Sequence, residues 1–205
     1  GLEEKLVRCF AELSPEQKKL LLVLYLLTYP AQKESEEDVW LKEDAILTIA
    51  FEGARDNFFG EYDYAPRVSL WRGYYRFVNI SQECLYDLDL LVNKGFLEKL
   101  RLATHTHIYI VAYRISRAGK KTIDELRSKN EEVGNLLKKV KDYLSCKDHN
   151  KMYRIEISDE GPIYVCEDGC RVLKPGIVKD MERVSYTSIS IKPLQGKGGS
   201  RTRVQ

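Results

Sequence analysis

An α+β fold is predicted by three features of the sequence. Apolar residues recur at helical spacing in several segments between residues 1 and 95. Two segments rich in Ile, Tyr and Val follow, over residues 96–102 and 107–114, and their composition is typical of strands. Further along the chain, two short Cys/His pairs flank a second pair of strand-like segments. We therefore expect a helical domain with its own hairpin, then a long helix, then a small β module.

Two helices are predicted at the start of this chain. The first covers residues 1–12. The second begins at a capping box in which Ser14 is the N-cap, Pro15 occupies the first turn and Gln17 is the reciprocal residue. It continues to about residue 29 and is apolar on nearly all sides, so we expect it to lie in the core.

The middle of the chain predicts two further helices on either side of a segment without assigned structure. Residues 43–58 have helical spacing, whereas the Tyr-rich segment 59–78 has no pattern that assigns it to a helix or a strand. The next helix begins at Ser81, and Gly95 ends it as a C-cap. Ser116 then caps the helix that follows the two predicted strands.

The order of these elements, with two stretches of sequence, resembles a winged-helix domain. Residues 85–98 (LYDLDLLVNKGFLE) are similar to the third helix and first wing strand of PadR-like and MarR-like regulators, where a helix ends in a Lys-Gly-aliphatic-Glu step. Residues 113–120 (YRISRAGK) are similar to the second wing strand and the start of the final helix in those families. The resemblance covers residues 79–128. It implies a winged-helix domain over residues 1–128, with an aromatic insertion at 59–78.

In those families the third helix enters the major groove of DNA. Three of the outward positions expected on that helix here are carboxylates, although phosphate neutralisation by Lys and Arg dominates DNA binding. Two interpretations follow. Either the domain binds DNA through other surfaces, such as the arginines of the insertion, or it docks onto proteins with the aromatic insertion as its anchor. The outward positions are Gln82, Glu83, Tyr86, Asp87, Asp89 and Asn93.

Ten residues on the third helix, the wing and the insertion are candidates for contact with such a partner. They are Gln82, Tyr86, Asn93, Lys99, Arg101, Arg67, Trp71, Arg72, Tyr74 and Arg76. Residues 171–205 add 8 basic against 2 acidic side chains, whereas residues 1–78 hold 10 basic and 14 acidic ones. The basic tail, expected to be disordered over residues 193–205, raises the odds of an anionic partner.

A seam of apolar residues follows the wing. From Ile123 onward, residues step by three and four over three repeats, and Asn130 occupies a position that commonly fixes the register of a coiled coil. PadR-like proteins dimerise through the helix after the wing, so a homodimer through a connecting helix at 129–145 is one prediction. The alternatives are a helix that packs on its own domain, or two helices broken near Asn130. The seam residues are Ile123, Leu126, Asn130, Val133, Leu137, Val140 and Leu144.

Cys146, His149, Cys166 and Cys170 have spacing typical of a metal site. The first pair reads C-x2-H and the second C-x3-C, and two short strands that turn at residues 159–161 separate them. A hairpin with a ligand pair at each end resembles a zinc ribbon, which predicts a closed, structural zinc site in a module at residues 146–192. A strand-like segment at 184–192 is a candidate to extend its sheet. The alternative is three unrelated thiols beside a surface histidine, because the usual ribbon has C-x2-C at both ends.

Composition and motifs exclude several classes of protein. Hydrophobic residues make up 43% of the chain and charged residues 31%, which is typical of a globular domain. The longest apolar stretch, at residues 20–27, falls far short of the ~20 residues that span a bilayer, and the N-terminus lacks the pattern of a signal peptide. Five cysteines without an export signal argue against a disulfide framework. We therefore expect an intracellular protein, cytoplasmic or nuclear.

A non-enzymatic binding module is favoured over an enzyme. The chain contains no nucleotide-binding Gly-rich loop and no zinc-protease or serine-hydrolase motif, and it has three histidines. A winged helix, a coiled linker and a zinc ribbon, in that order, resemble the large subunit of transcription factor E. Docking onto protein partners in a larger assembly, such as a transcription-related one, is thus the first prediction. DNA-binding regulation of the PadR-like type is the alternative, and neither a membrane nor a small-molecule substrate is expected.

Overall fold

The computed structural model describes residues 1–60, 62–72, 74–103, 105 and 109–178. Its helices are α1 (Leu2–Glu12), α2 (Pro15–Leu27), α3 (Glu43–Arg55), α4 (Gln82–Asn93), α5 (Arg117–Lys129) and α6 (Glu131–Tyr143). Its strands are β1 (Leu41–Lys42), β2 (Ala65–Trp71), β3 (Tyr74–Ile80), β4 (Leu97–Ala103), β5 (Tyr109–Ile115), β6 (Ser145–Cys146), β7 (Lys151–Met152), β8 (Arg154–Ser158), β9 (Gly161–Val165) and β10 (Arg171–Leu173). The fold is α+β, as predicted, with several small antiparallel sheets.

The predicted helix starts are confirmed by their capping hydrogen bonds. Gln17 N donates to Ser14 Oγ at 3.2 Å, and Ser14 N donates to Gln17 Oε1 at 2.9 Å, so the capping box forms at the start of α2. Ser81 Oγ accepts from the Cys84 backbone at 3.1 Å, and Ser116 Oγ from the Gly119 backbone at 2.8 Å. These local signals therefore fix where α2, α4 and α5 begin.

The helix α2 lies at the centre of the molecule. Its residues Leu20, Leu21, Leu22, Val23 and Leu24 are almost fully buried, as its apolar sequence predicted. With 13 residues it is also short, and no helix in the described part of the chain has the length and apolar character needed to cross a membrane.

A three-stranded antiparallel sheet covers one side of the helices. Its strand order is β1-β5-β4, with Leu41 opposite Tyr113 and Leu97 opposite Ile115. The backbone N–H of Ile115 donates to Thr28 Oγ1 at 2.9 Å, which ties the end of β5 to the end of α2. The β4–β5 hairpin agrees with the two strands that the sequence predicted after α4.

The segment without an assigned structure in the sequence forms most of a second hairpin. Strands β2 and β3 pair over seven positions, from Ala65 opposite Ile80 to Trp71 opposite Tyr74. Aromatic and apolar residues occur on both faces of this hairpin, so the polar-apolar alternation of a half-buried strand is absent from its sequence.

Two helices, and not one continuous coiled-coil helix, carry the apolar seam that follows β5. Two helices, α5 and α6, meet at Asn130, whose backbone is extended (φ −121°, ψ 112°) and whose side chain accepts from the N–H groups of Glu132 and Val133. Asn130 is therefore the N-cap of α6 and not a buried position of a coiled coil. The break near Asn130 is the alternative that the sequence analysis had left open.

The seam residues pack inside a single chain. Ile123, Val133, Leu137, Val140 and Leu144 are buried, and each belongs to the same core as α2. Leu126 is half-buried, and Asn130 is exposed. Packing of α5 against α1, and of α6 against α2, accounts for the three-four spacing without a second chain. Dimerisation stays a prediction, but this seam is not free to provide it.

The C-terminal β strands share the core of the helical part. Strands β10, β9 and β8 form an antiparallel sheet, and the predicted turn at residues 159–161 lies between β8 and β9. Tyr164, Ile177 and Val178 are buried in the same cluster as α2. Some predicted features fall on residues outside the described ones: part of the turn near 103–105, the start of the second wing strand at 107–108, the strand at 184–192 and the disordered tail at 193–205.

Candidate metal centre

The first pair of candidate ligands lies on a tight turn between β6 and β7. Cys146 pairs with Lys151 across this small hairpin, and the backbone N–H of Asn150 donates to the carbonyl of Cys146 at 2.7 Å. Asn150 adopts φ 55°, a left-handed conformation that Asn tolerates better than most residues. The turn brings the side chain of His149 back over that of Cys146, with 3.7 Å between Sγ and Nδ1.

The second pair lies on the turn between β9 and β10. Gly169 N donates to the carbonyl of Cys166 at 3.0 Å, and Cys166 N donates to the carbonyl of Cys170 at 2.9 Å. Gly169 has φ +99°, which only glycine adopts easily, so the tight turn depends on it. The backbone N–H of Asp168 also donates to Cys166 Sγ at 3.3 Å, and such a bond stabilises a thiolate.

The four side chains converge on one point. His149 Nδ1 lies 3.7 Å from Cys146 Sγ, 3.7 Å from Cys166 Sγ and 3.2 Å from Cys170 Sγ. No two of the four ligand atoms are more than 4.8 Å apart. Tetrahedral zinc, with Zn–S near 2.3 Å and Zn–N near 2.0 Å, places its ligand atoms ~3.5–3.8 Å apart. The four residues chosen from their spacing therefore come together in the structure, and the cluster could hold a metal ion such as zinc.

Proton sharing within the cluster shifts the pKa values of its members. The hydrogen bond with His149 lowers the pKa of the Cys146 thiol to about 6 and raises the pKa of the imidazole. Interaction with Cys146 raises the pKa of the Cys170 thiol to about 11. Three sulfur atoms and an imidazole thus compete for few protons in a small volume. This is a donor set that a soft divalent cation satisfies by displacing the protons.

Residues that the sequence analysis did not single out surround the cluster. Lys151 Nζ lies 2.9 Å from a carboxylate oxygen of Glu167 and 3.2 Å from one of Asp168, so an exposed ion pair joins the first turn to the second. Tyr153 lies against the cluster. Its own burial, and then its hydrogen bond with Cys146, raise the pKa of its hydroxyl. Sequence spacing could not identify these supporting residues, because each one interacts with a turn that lies far from it in the chain.

The candidate contact residues of α4 and the β4–β5 hairpin are mostly on the surface. Gln82, Tyr86 and Asn93 are exposed along one face of α4, and Tyr86 is 68% exposed. Arg101 is exposed as well. Lys99 is half-buried over the ring of Tyr113, and its ammonium lies 3.4 Å from Asp89.

Asp87 does not lie on the outward face where the sequence analysis placed it. It is 8% exposed, accepts from Gln17 Nε2 at 2.8 Å and accepts from the Tyr62 hydroxyl at 2.8 Å. Its place three residues after Cys84 and four before Leu91, both buried, puts it on the inward face of α4. The surface of α4 therefore carries two carboxylates, Glu83 and Asp89, instead of three.

The candidate residues of the aromatic insertion divide between the interior and the surface. Trp71 is only 1% exposed, and its indole N–H donates to the carbonyl of Ser158 at 2.8 Å, so it does not form an exposed anchor for a partner. Arg72 pairs with Asp159 at 3.1 Å, and Arg76 donates to the carbonyl of Asp159 at 2.6 Å. Through these hydrogen bonds, the three residues hold the β2–β3 hairpin against the β8–β9 turn. Arg67 and Tyr74 remain exposed.

A groove beside α4 is a feature that the sequence analysis missed. It has a volume of about 640 Å³. Its position follows from the capping turn of α2, which lies against the first turns of α4 through the bond between Gln17 and Asp87. No sequence signal could have located it, because it is built from three segments far apart in the chain. It is lined by Ser14, Pro15, Glu16, Gln17, Tyr62, Gln82, Glu83, Tyr86 and Asp87.

Comparisons with known proteins give one match. No curated protein and no solved structure matches the chain. The model of the uncharacterized protein MJ1567 family matches residues 16–170. That stretch holds α3 to α6, nearly all of α2, and all four members of the Cys/His cluster. Because the match spans more than half of the chain, the protein belongs to the uncharacterized protein MJ1567 family.

Proposed function

We propose that this chain is a non-catalytic module that docks onto a protein partner through the exposed face of α4, and that a structural zinc ion holds its C-terminal ribbon. The observation that carries the proposal is the composition of α4. This helix contains neither Lys nor Arg, and its exposed face presents Gln82, Tyr86 and Asn93 between two carboxylates. A face of this kind repels phosphates and offers a large aromatic side chain to a protein.

The topology supports a winged-helix interpretation of residues 1–128. Helices α2, α3 and α4 precede the β4–β5 hairpin, and the short β1 between α2 and α3 pairs with β5. This is the order of elements that the resemblance to PadR-like and MarR-like regulators implied. One departure bears on function. Residues 56–81, with the β2–β3 hairpin, replace the short turn that a DNA-binding helix-turn-helix has between its two helices.

The groove beside α4 supports a protein rather than a nucleic acid as the partner. Pro15, Tyr62 and Tyr86 contribute apolar surface to its lining, and the exposed Glu83 contributes a carboxylate. An apolar pocket beside an exposed aromatic residue is where a partner side chain would be most fully desolvated.

The closed donor set supports a structural role for the metal. Four protein ligands fill the four positions of tetrahedral zinc, which leaves no open position for a substrate or a reactive water. In the described residues, the cluster joins the β6–β7 turn to the β9–β10 turn, together with the ion pairs that Lys151 makes with Glu167 and Asp168. Zinc would hold the two ends of the ribbon together.

Docking through α4 is tested with a photo-reactive residue. A photo-crosslinking amino acid at Tyr86 is expected to trap one protein species in cells of the source organism, identified by mass spectrometry. The same residue at Tyr74, which is comparably exposed on the hairpin, serves as the control for non-specific capture. An identical set of adducts from both positions would contradict docking through α4.

The DNA-binding alternative is tested by a salt series with a random-sequence duplex. The topology and the wing cations Lys99 and Arg101 favour this alternative. We expect no micromolar binding from a chain ending at Lys192. Binding with a steep salt slope that survives removal of the tail, and weakens in Lys99→Ala with Arg101→Ala, would replace docking by DNA regulation. Binding lost with the tail would mean a non-specific basic arm and would leave the docking proposal standing.

The zinc proposal is tested by metal content. One zinc per chain is expected in the purified protein, and Cys166→Ser is expected to lose it and to lower the melting temperature. Cys9→Ser is the matched control, because Cys9 is a half-buried cysteine of α1 far from the cluster in sequence. Substoichiometric zinc together with an unchanged melting temperature in Cys166→Ser would refute the site.

A further inference from the structure

The groove beside α4 combines aromatic walls with an absence of positive charge. Tyr86 is 68% exposed, and Tyr62 is buried and stacked on Phe59, with 5.9 Å between the ring centroids. Together with Pro15, the two tyrosines contribute apolar surface to a groove of about 640 Å³. None of the described residues that line it is a Lys, Arg or His. A side chain that enters the groove therefore meets aromatic rings and no cation.

Two carboxylates of α4 line this groove about one helical turn apart. Glu83 and Asp87 are four residues apart, so they lie on the same side of the helix and their charges repel. The donors to Asp87 are the side-chain amide of Gln17 and the hydroxyl of Tyr62, both uncharged and both at 2.8 Å. In the part of the chain that the structure describes, neither carboxylate has an ion pair with a cation. Their repulsion is therefore left without a compensating positive charge.

These two carboxylates differ from the third acidic residue of the lining. Glu16 is buried, accepts from the backbone N–H of Gly60 at 3.2 Å and lies 3.6 Å from the ammonium of Lys19, so its charge is already compensated. Glu83 is exposed, and a hydrogen bond from the backbone N–H of Asp63 lowers the pKa of its carboxyl. Glu83 is therefore ionised at neutral pH, and the groove keeps a negative charge.

We propose that this groove accepts an arginine side chain of the docked protein, whose guanidinium binds Glu83 and Asp87 and stacks on Tyr86. The inference rests on the proposed docking through α4 and names the chemistry of the partner. A guanidinium pairs with carboxylates in a bidentate way, stacks on aromatic faces and is more weakly hydrated than an ammonium. A carboxylate has about four acceptor positions, so Asp87 can accept from a guanidinium in addition to its two present donors. The uncompensated charge and the aromatic wall thus favour the same side chain.

Titration with a single arginine unit tests the proposal. The probe is N-acetyl-arginine methylamide, added to the isotope-labelled full chain and followed by the chemical shifts of the backbone amides. We expect saturable shifts at residues 82–87 with a Kd on the order of millimolar. The citrulline analogue of the probe has the same shape without the charge, and it is expected to bind at least about tenfold more weakly.

Two variants of α4 locate the binding. Glu83→Gln removes the charge but keeps an acceptor for the backbone N–H of Asp63, and it is expected to weaken binding of the arginine probe by about fivefold. Asp89→Asn is the matched control, because Asp89 is an exposed carboxylate of the same helix that does not line the groove. It should leave the Kd unchanged, and the melting temperature of each variant shows that it is folded.

Equal binding of the citrulline analogue would overturn the inference, as would equal Kd values for the arginine probe in the parent chain and in Glu83→Gln. Failure of the inference differs from failure of docking. If a photo-reactive residue at Tyr86 traps one protein while the arginine probe does not bind, docking stands and the arginine site is refuted. If the probe binds but Tyr86 and Tyr74 give identical adducts, the groove is a guanidinium site and docking through α4 is refuted.

Discussion

Asp87 joins three separate parts of the chain through one buried carboxylate. It lies on α4, accepts from Gln17 on α2 and accepts from Tyr62 before the β2–β3 hairpin. Both bonds lie in a site with little solvent contact, where a donor left without an acceptor costs free energy. Asp87 therefore helps to set the relative placement of α2, α4 and the segment before the hairpin.

Replacing Asp87 by Ala is expected to destabilise the protein. Gln17 and Tyr62 would lose their acceptor in a buried site, and the free energy of unfolding should fall by about 1–3 kcal/mol. Urea denaturation measures the change. Asp89→Ala is the control on the same helix, because Asp89 is exposed, and its effect should stay within about 0.5 kcal/mol. Equal losses in the two variants would show that the Asp87 bonds do not stabilise the fold.

The Asp44 carboxyl makes the stability of the protein depend on pH. Burial raises the pKa of the Asp44 carboxyl from 3.8 to about 6. The folded state thus binds this proton more tightly than the unfolded state, and the free energy of unfolding falls as pH rises from about 4 to about 6. The side chain keeps some solvent contact and lies at the N-terminus of α3, where the helix dipole favours a negative charge. The loss is therefore on the order of 1–2 kcal/mol.

Asp44→Asn is expected to remove that loss. Above pH 6 the variant should be more stable than the parent chain by about 1–2 kcal/mol, and near pH 4 the two should converge. Denaturant titrations at a series of pH values measure both curves. A constant difference between the curves from pH 4 to pH 7 would contradict the raised pKa.

At the scale of elements, the break between α5 and α6 decides what the apolar seam does. Asn130 ends α5 and caps α6, so the two helices pack against different neighbours, α5 against α1 and α6 against α2. The three-four spacing of apolar residues is common to a coiled coil and to a helix packed on its own core, so spacing alone could not distinguish them. The local signal that could have done so is Asn130 followed by Glu131 and Glu132, which is typical of a helix N-terminus.

Asn130→Ala is expected to weaken the start of α6. Loss of the acceptor for Glu132 N and Val133 N should lower the free energy of unfolding by about 1 kcal/mol. Asn135→Ala, in the exposed middle of α6, controls for helix propensity and should be neutral or slightly stabilising. Urea denaturation measures both, and a stabilised Asn130→Ala variant would indicate a continuous helix instead.

The elements differ in how well the sequence predicted them. Starts of helices were predicted well, because a capping residue such as Ser14, Ser81 or Ser116 acts on groups within three positions of itself. The Cys/His turns were predicted for the same reason, since each pair is local. The hairpin of residues 65–80 was not, because apolar residues occur on both of its faces and the burial of Trp71 depends on the distant ribbon.

At the scale of the whole molecule, the ribbon and the helical part form one body around Trp71. The indole is fully enclosed between the hairpin and β8, while Tyr143 donates to Asp56 at 2.6 Å and stacks on Phe58. The Cys/His spacing predicted a closed, structural zinc site for the ribbon. Burial of Tyr164, Ile177 and Val178 in the common core indicates that packing also holds it.

Trp71→Ala is expected to loosen the ribbon as well as the hairpin. A large cavity and an unpaired carbonyl at Ser158 should lower the free energy of unfolding by about 3–5 kcal/mol. Tyr74→Ala is the matched control, because Tyr74 lies opposite Trp71 in the hairpin but is exposed, and its loss should cost about 1 kcal/mol or less. Faster hydrogen exchange at residues 154–165 in Trp71→Ala alone would locate the effect, and no change there would contradict it.

The separation in sequence between Trp71 and its acceptor, Ser158, also determines how long the growing chain lacks this hydrogen bond during synthesis. The two residues are 87 positions apart. At roughly 5–20 residues per second, a ribosome needs about 4–17 seconds to add the intervening chain. During that interval the hairpin has emerged without the strand that encloses its tryptophan. A nascent chain that stalls before Ser158 would therefore display an aromatic surface that the finished protein hides, and chaperones recognise surfaces of that kind.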